Sequence, residues 1–283
     1  MDNSGSITVG YWSTKGLGSV CRQIVLYSGN KLKAKNYKLQ PIVKDNIITY
    51  DASEWAENDK IDLKKRNSLI NLPYIELIDS SGNELLISQS NACLSYLGRK
   101  FKMFGVNEIE QIQCEQLLLE TSDLRNIITS FAYTHFKNKD LEYEAANEVF
   151  TEAFQNTNAG KMQKFEHWFD TKENNENYFL VNDITVADFN LFDILDLYIE
   201  FLKHYNFTEG KNNNDLLEAL GYPNLSNFYQ NFLNLPKMQK YYESVFYKLP
   251  YTNKSANFGS GIKGNKWDTK NQLDETPKEI IIN

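Results

Sequence analysis

Three things are scarce in this chain of 283 residues, and each scarcity removes a class of function. Cysteine occurs only at Cys21, Cys93 and Cys114, widely spread and outside any CxxC pair. An odd, scattered set of this kind suggests neither a disulfide framework nor a zinc site, and it predicts buried, inert thiols. No apolar stretch approaches the roughly 18 residues that a membrane span needs. The N-terminal MDNSGSITV has no basic region followed by an apolar run, so the expected compartment is the cytoplasm. Positive charge is in deficit: 30 Lys and Arg stand against 37 Asp and Glu, a net charge of −7. Such a surface repels nucleic acid and anionic membranes on average, and neither is expected as the main partner.

What is present is apolar and aromatic. Hydrophobic residues make up 41% and aromatic residues 13%, with 17 Phe and 17 Tyr, which excludes a disordered or fibrous chain. The length predicts two domains. The first signal is SITVGYWSTKGLGSVCRQIVLY, which reads as strand, glycine turn and helix in direct succession. Ile7, Val9 and Tyr11 share one side of the strand at period two. A helix from about Val20 carries Ile24, Val25 and Leu26 inward, and Gly16 and Gly18 allow the sharp fold between the two. Tyr11 and Trp12 therefore stand at a strand's carboxyl end, where open α/β sheets place their ligands. A hydroxyl facing a small-molecule site and plain packing are the two readings of Tyr11 at this point.

Asn36 to Leu39 reads as a second short strand, followed by a polar run from Gln40 to Ser53 that Pro41 interrupts. Glu57 to Arg66 reads as a solvated loop or a loose helix. NLPYIELID and Leu85 to Ile87, joined by SSGNE, predict an antiparallel hairpin entered through Pro73. Gln89 and Ser90 then open a helix whose buried face is Cys93, Leu94 and Leu97. Its N-terminus suits an anionic group, or holds an unoccupied serine cap.

From Asn107 the periodicity turns helical. One long helix is expected to run past Arg125 to Phe136, and a second from Tyr143 to Phe169 with a bend at Gly160. Thr185 with Asp188 is a capping box, and Ile184 with Phe189 a hydrophobic staple. Prolines open two shorter helices, Pro223 to Leu233 and Pro236 to Phe246. Beyond Tyr251 the composition predicts a surface-draped or mobile tail.

In this order and at these separations, GYWSTKGLGSVCRQIVLY, NLPYIEL, SQSNACLSYLGRK and ITVADFNLFDILDLY resemble the cytosolic glutathione transferases, above all the mu class. The resemblance implies a fold of α/β plus all-α type: a thioredoxin-like βαβαββα domain over residues 1 to 100, with Pro73 cis, then an all-helical domain over 107 to 250 and a polar tail over 251 to 283. It implies glutathione as co-substrate, no further cofactor, a homodimer, and conjugation of the tripeptide's thiolate to small apolar electrophiles. The catalytic hydroxyl would be that of Tyr11. Trp12, Trp55, Asn71, Leu72, Gln89 and Ser90 would hold the peptide, with Lys60 the nearest candidate for the family's lysine. Asp123, ten residues before Tyr133, would reach the neighbouring subunit's glutathione, and Tyr133 would assist some electrophiles. The sequence departs from the mu pattern in longer segments before and after Trp55, in Leu69 where a phenylalanine keys into the partner subunit, and in a longer tail. A non-catalytic ligand-binding protein and a sigma-like lipid isomerase are the alternative functions.

Overall fold

Ile7–Trp12 forms a strand, β1, that is buried over almost its whole length, Thr8 and Gly10 included. Burial on both faces is what a central strand requires, and β1 is central because it pairs on both edges. Helix α1, Gly18–Tyr27, returns the chain to β2, Leu32–Tyr37, which lies parallel to β1 with Tyr11 opposite Asn36. In the computed structural model, residues 6–45, 47–79, 81–155, 160–172, 178–207, 215–262 and 275–283 are described. By its contacts the chain forms two compact units, one of residues 1–101 with 236–283 and one of residues 102–235.

In the first unit, β2 begins earlier than its apolar residues announced, because Lys33 and Lys35 alternate with the buried Leu32 and Ala34. The segment expected as a polar run is a two-stranded ribbon, β3 (Gln40–Lys44) paired with β4 (Ile47–Asp51). Its Ile, Val, Thr and Tyr residues favour extended backbone, and Pro41 is tolerated because a two-stranded ribbon needs only one hydrogen-bonding edge. Glu54–Asp59 is a wide helical turn that continues into α2, Lys60–Lys64, so the helical alternative holds for this stretch. The expected hairpin is present as β5, Tyr74–Ile78, with β6, Glu84–Ser88. Ser80 of its turn lies outside the described residues. The Leu72–Pro73 peptide bond is cis, as the resemblance implied. Helix α3, Ser90–Lys100, completes the βαβαββα order with the β3–β4 ribbon as an addition.

The C-terminal stretch overturns two expectations. The helical segment from Pro236, expected to close the helical domain, clusters instead with the sheet unit. Nor is the tail simply draped: Thr252, Ala256, Phe258 and Ser260 are buried, and Glu279–Ile282 forms a further strand, β7. It pairs antiparallel with β2, giving the sheet order β6-β5-β1-β2-β7. The part of the tail at residues 263–274 lies outside the described residues.

The second unit is helical. Its frame is α4, Glu108–Tyr133, packed on α7, Val186–His204, which is buried along most of its length. A buried ion pair joins them, Arg125 Nη2 to Asp193 Oδ2 at 2.8 Å. The expected helix from Tyr143 to Phe169 is instead two, α5 (Lys139–Phe150) and α6 (Lys161–Asp170), with Gly160 as the N-cap of the latter. A short α8, Leu216–Ala219, and α9, Pro223–Leu233, follow, and Pro223 opens α9 as expected. Phe192 stacks on Phe232 and Phe189 meets its edge, an aromatic layer between α7 and α9.

The capping box of α7 is formed. Fully buried Asp188 accepts from the Leu180 and Thr185 backbone N–H groups, both at 2.7 Å, and from the Thr185 hydroxyl at 2.8 Å. Burial pushes its carboxyl up to about 6 although these donors pull it down. We expect Asp188→Ala to lower stability by about 2 to 4 kcal/mol in chemical denaturation, because it removes a cap and leaves buried donors unpaired. A carboxyl that titrates higher folded than unfolded gains stability as pH falls through its folded value, so the gap between the two proteins should widen from pH 7 towards pH 4.

Candidate functional site

The sheet register brings the predicted residues to one end. Gly10 pairs with Tyr74, and Tyr74 pairs with Ser88, so these three lie in one row across β1, β5 and β6. Tyr11 and Trp12 follow Gly10 directly, Asn71 and Leu72 precede Tyr74 through the cis bond, and Gln89 and Ser90 follow Ser88. Strand direction does this, since β5 runs against β1 and β6, and the start of one meets the ends of the others.

Tyr11 is 9% exposed and seated against the glycine turn. A Cβ on Gly18 would lie 2.5 Å from Tyr11 Cβ, and one on Gly16 would lie 2.7 Å from Tyr11 Oη. Gly16 also has φ +38, in the left-handed region. Thus both glycines are needed for the ring's position as much as for the turn. Below the turn, Arg22 of α1 is wholly buried and donates to the Thr14 carbonyl at 2.8 Å, the Trp12 carbonyl at 3.1 Å and Asn36 Oδ1 at 3.3 Å. Its guanidinium lies 6.0 Å from the centre of the Tyr11 ring. On the other side, the Lys15 and Gly16 N–H groups donate to the Pro250 and Tyr251 carbonyls at 2.8 and 3.1 Å. The Lys15 ammonium sits over the Tyr247 and Tyr251 rings, 4.5 and 4.1 Å from their centres.

An aromatic floor lies beside the turn. Trp55, Tyr37 and Tyr74 are buried together, with Trp12 and Leu72 packed against them half-exposed. Trp55 is stacked on Tyr74 at 6.0 Å and tilted on Tyr37 at 5.0 Å. At 3% exposure its ring is part of this core, and the Lys60 ammonium lies 5.9 Å from it. Gly10 leaves room for the Tyr74 ring, because a Cβ there would fall 2.1 Å from a ring carbon.

The phenols end on a carboxylate: Tyr37 donates to Asp59 at 2.7 Å, and the two tyrosine oxygens are 2.9 Å apart. With its own proton committed to Asp59, Tyr37 accepts from Tyr74. Burial first, then Tyr74 and Asp59, pushes the Tyr37 hydroxyl far above its ordinary value, and burial also raises that of Tyr74. Burial works against the Asp59 carboxylate, but the Tyr37 hydroxyl, Lys35 and Lys278 outweigh it and hold the group below the usual range.

Ser88 ties the remaining edge. Its hydroxyl accepts from the Asn71 N–H at 2.8 Å and donates to the Asn71 carbonyl at 3.0 Å, fixing the segment before the cis bond. Gln89 is exposed with φ 73, and it directly precedes the N-terminal turn of α3. Asp123 and Tyr133 belong to the helical unit. The Asp123 carboxylate is paired with Lys161 at 3.2 Å, and Tyr133, the last residue of α4, is 41% exposed. Leu69 is 74% exposed. Sequence reasoning missed Arg22, Asn36, Asp59 and Ser88 as supports. A polar residue closing the apolar run Leu85 to Ile87 was a signal for Ser88, whereas an arginine inside an apolar helix gave no clue to its partners.

A family model described as "Glutathione S-transferase, C-terminal domain" matches residues 122–245. Glutathione S-transferase Mu 4 of Rattus norvegicus is 30% identical over 257 residues, covering 90% of this chain and 99% of the relative. Glutathione S-transferase B of Cavia porcellus is 31% identical over 238 residues, 84% of this chain and 91% of the relative. Among solved structures, the glutathione S-transferase Blo t 8 matches with a TM-score of 0.66 at 18% identity, covering 89% of this chain and 99% of that one. The Pi-class glutathione S-transferase of Onchocerca volvulus matches with a TM-score of 0.61 at 24% identity, covering 88% and 99%. The last two speak to fold alone, and they agree with a thioredoxin-like region followed by helices. The seat of Tyr11 has a direct test: Gly18→Ala should displace the ring and cost about 1 to 3 kcal/mol in thermal or chemical unfolding, as overpacking of a filled site does.

Proposed function

The chain belongs to the glutathione S-transferase family, and from that premise we propose that it is a mu-like glutathione transferase that joins the glutathione thiolate to small apolar electrophiles, a detoxifying reaction. The observation that carries the reading is the convergence of Tyr11, the Asn71–Leu72 segment and the Gln89–Ser90 helix start on one end of the sheet. Each supplies what a different part of the tripeptide needs. The Tyr11 hydroxyl donates to the sulfur. The backbone of Leu72, held by Ser88 and the cis bond, pairs with the cysteinyl unit as an added strand. Gln89, Ser90 and the N–H groups of α3 receive the γ-glutamyl carboxylate. Trp12, Asn71 and Lys60 border the same groove, and Trp55 supports it from beneath.

The chemistry follows from one hydrogen bond. A free thiol with a pKa of about 8.5 is only a few per cent ionised at neutral pH. A donor that bonds the thiolate more strongly than the thiol lowers that value, and about two units correspond to about 2.7 kcal/mol. The buried Arg22 cation beneath the ring favours the same anion. The thiol proton passes to solvent as the thiolate forms, the sulfur lone pair then makes the new bond to the electrophilic carbon, and the leaving group departs with its electron pair. Tyr11 keeps its proton throughout, and no resident cofactor is required.

The same reading makes the protein a cytoplasmic homodimer. Asp123 and Tyr133 take their roles from the family resemblance alone. In this structure Asp123 is paired with Lys161, so its reach to a neighbouring subunit's glutathione would require that pair to open.

Conjugation of glutathione to a generic aryl halide tests the proposal. Tyr11→Phe should still bind glutathione in a titration, lose turnover by about 25-fold at neutral pH, and recover towards wild type as pH rises and the thiol ionises unaided. Wild type that binds glutathione without turning over any electrophile would point to the ligand-binding alternative. Wild type that binds none would remove the site assignment.

A further inference from the structure

Strand β7 begins near the end of the sheet that holds Tyr11. It runs against β2, so its first residue, Glu279, pairs with Lys35, and the residues before it reach the row of Asn36 and Tyr11. The Asn36 N–H donates to the Lys278 carbonyl at 2.7 Å, and Asn36 Nδ2 donates to the Pro277 carbonyl at 3.0 Å. With its amide nitrogen so engaged, wholly buried Asn36 turns Oδ1 towards Arg22 Nη2 at 3.3 Å. Arg22 in turn holds the carbonyls of Trp12 and Thr14, on either side of Ser13. Hydrogen bonds thus run from the tail through Asn36 and Arg22 to the end of β1 and the turn that follows Tyr11.

A second link runs through charge. Lys278 Nζ is 3.7 Å from Glu54 Oε1 and 4.0 Å from Asp59 Oδ1, and Asp59 accepts from Tyr37 beneath Trp55. Lys33 pairs with Glu279 at 3.0 Å on the same strand pair. The strand itself is short, four residues with Ile280 and Ile282 only half-buried, so it forms a local element of modest stability rather than part of the inner core.

We propose that residues 275–283 are a positioning element of the active site, which sets the Tyr11 hydroxyl through Asn36 and Arg22 and the aromatic floor through Lys278. The proposal rests on the glutathione transferase reading and goes beyond it by giving the C-terminal strand a part in thiol activation. Among the described residues, charged groups around the turn and floor include Arg22 from α1, Lys15 within the turn and, across the floor, Glu54, Lys35, Asp59, Lys60 and Lys278. None of these has to change protonation for the effect. What the tail alters is where the phenolic donor points.

The test compares the full chain with one ending at residue 274 in glutathione conjugation to an aryl halide across pH. We expect the shortened chain to show its thiolate ionisation about one unit higher, hence about threefold less turnover at neutral pH and about tenfold less on the acid side, with the two proteins converging at alkaline pH. A synthetic peptide of residues 275–283 added in trans should restore the neutral-pH rate. In the full-length protein, Lys278→Glu, which sets a carboxylate beside Glu54 and Asp59, should move the profile the same way by a smaller amount, and Lys278→Arg should leave it in place. This pair keeps the test valid if the shortened chain folds poorly. An unchanged pH profile, or a loss by one constant factor at every pH, would overturn the proposal, because a purely structural strand changes the amount of active protein and not the ionisation. If full-length protein itself fails to conjugate glutathione, the parent reading falls and takes this one with it.

Discussion

The site depends on one buried cation. Arg22 sits inside the sheet unit with no exposure, and its guanidinium is directed at the carbonyls of Trp12, which ends β1, and of Thr14 in the turn that follows, and at the side chain of β2's Asn36. Burying a charge costs several kcal/mol unless it is richly hydrogen-bonded. That requirement shapes the turn, since Trp12 and Thr14 must present their carbonyls inward to satisfy the cation. The side chain of Tyr11 then lies close against Gly16 and Gly18, with the guanidinium 6.0 Å from its ring centre. A mobile loop could carry the same hydroxyl but would spend most of its time aiming it elsewhere.

The aromatic floor is a second constraint of the same type. Tyr37, Tyr74 and Trp55 form a packed group whose hydroxyl protons run in one direction to Asp59. Burial keeps both phenols protonated, so they act as fixed donors and as filler. A hydroxyl at a strand end can therefore be structural, as in Tyr37, or available for chemistry, as proposed for Tyr11. Tyr37 has committed its proton to Asp59 and belongs to the packed floor, whereas Tyr11 stands at the end of β1 against the glycine turn. The C-terminal segments supply the outer supports, with Pro250 and Tyr251 on the turn and Pro277 and Lys278 on β2.

Much of this was legible from residue order. The strand-turn-helix start, the hairpin behind the cis bond, the long helix after Asn107 and the capping box at Thr185 and Asp188 each rest on local rules of periodicity, turn chemistry and capping, and each was found. The expectations that failed share a physical cause. Residues 40 to 51 looked polar because an exposed two-stranded ribbon buries little, and hydrophobic pattern is then a poor guide to extended backbone. EIII near the C-terminus was passed over because four residues become a strand only when an edge is waiting for them, and that edge lies more than 240 positions earlier in the chain.

The sequence by itself determined the first strand-turn-helix, the hairpin and the capped helices after Asn107 and Thr185, because periodicity, caps and tight turns depend on neighbours a few residues apart. It also determined the identity of the phenol and of the helix start that meet in the proposed site. Only the tertiary structure decided that Trp55 would lie in the floor, that Ser88 would hold Asn71, that the Pro236 segment would join the sheet unit, and that the tail would reach Asn36. Those outcomes depend on strand register and on the need to satisfy buried polar groups, and both are set by contacts between residues far apart in the chain.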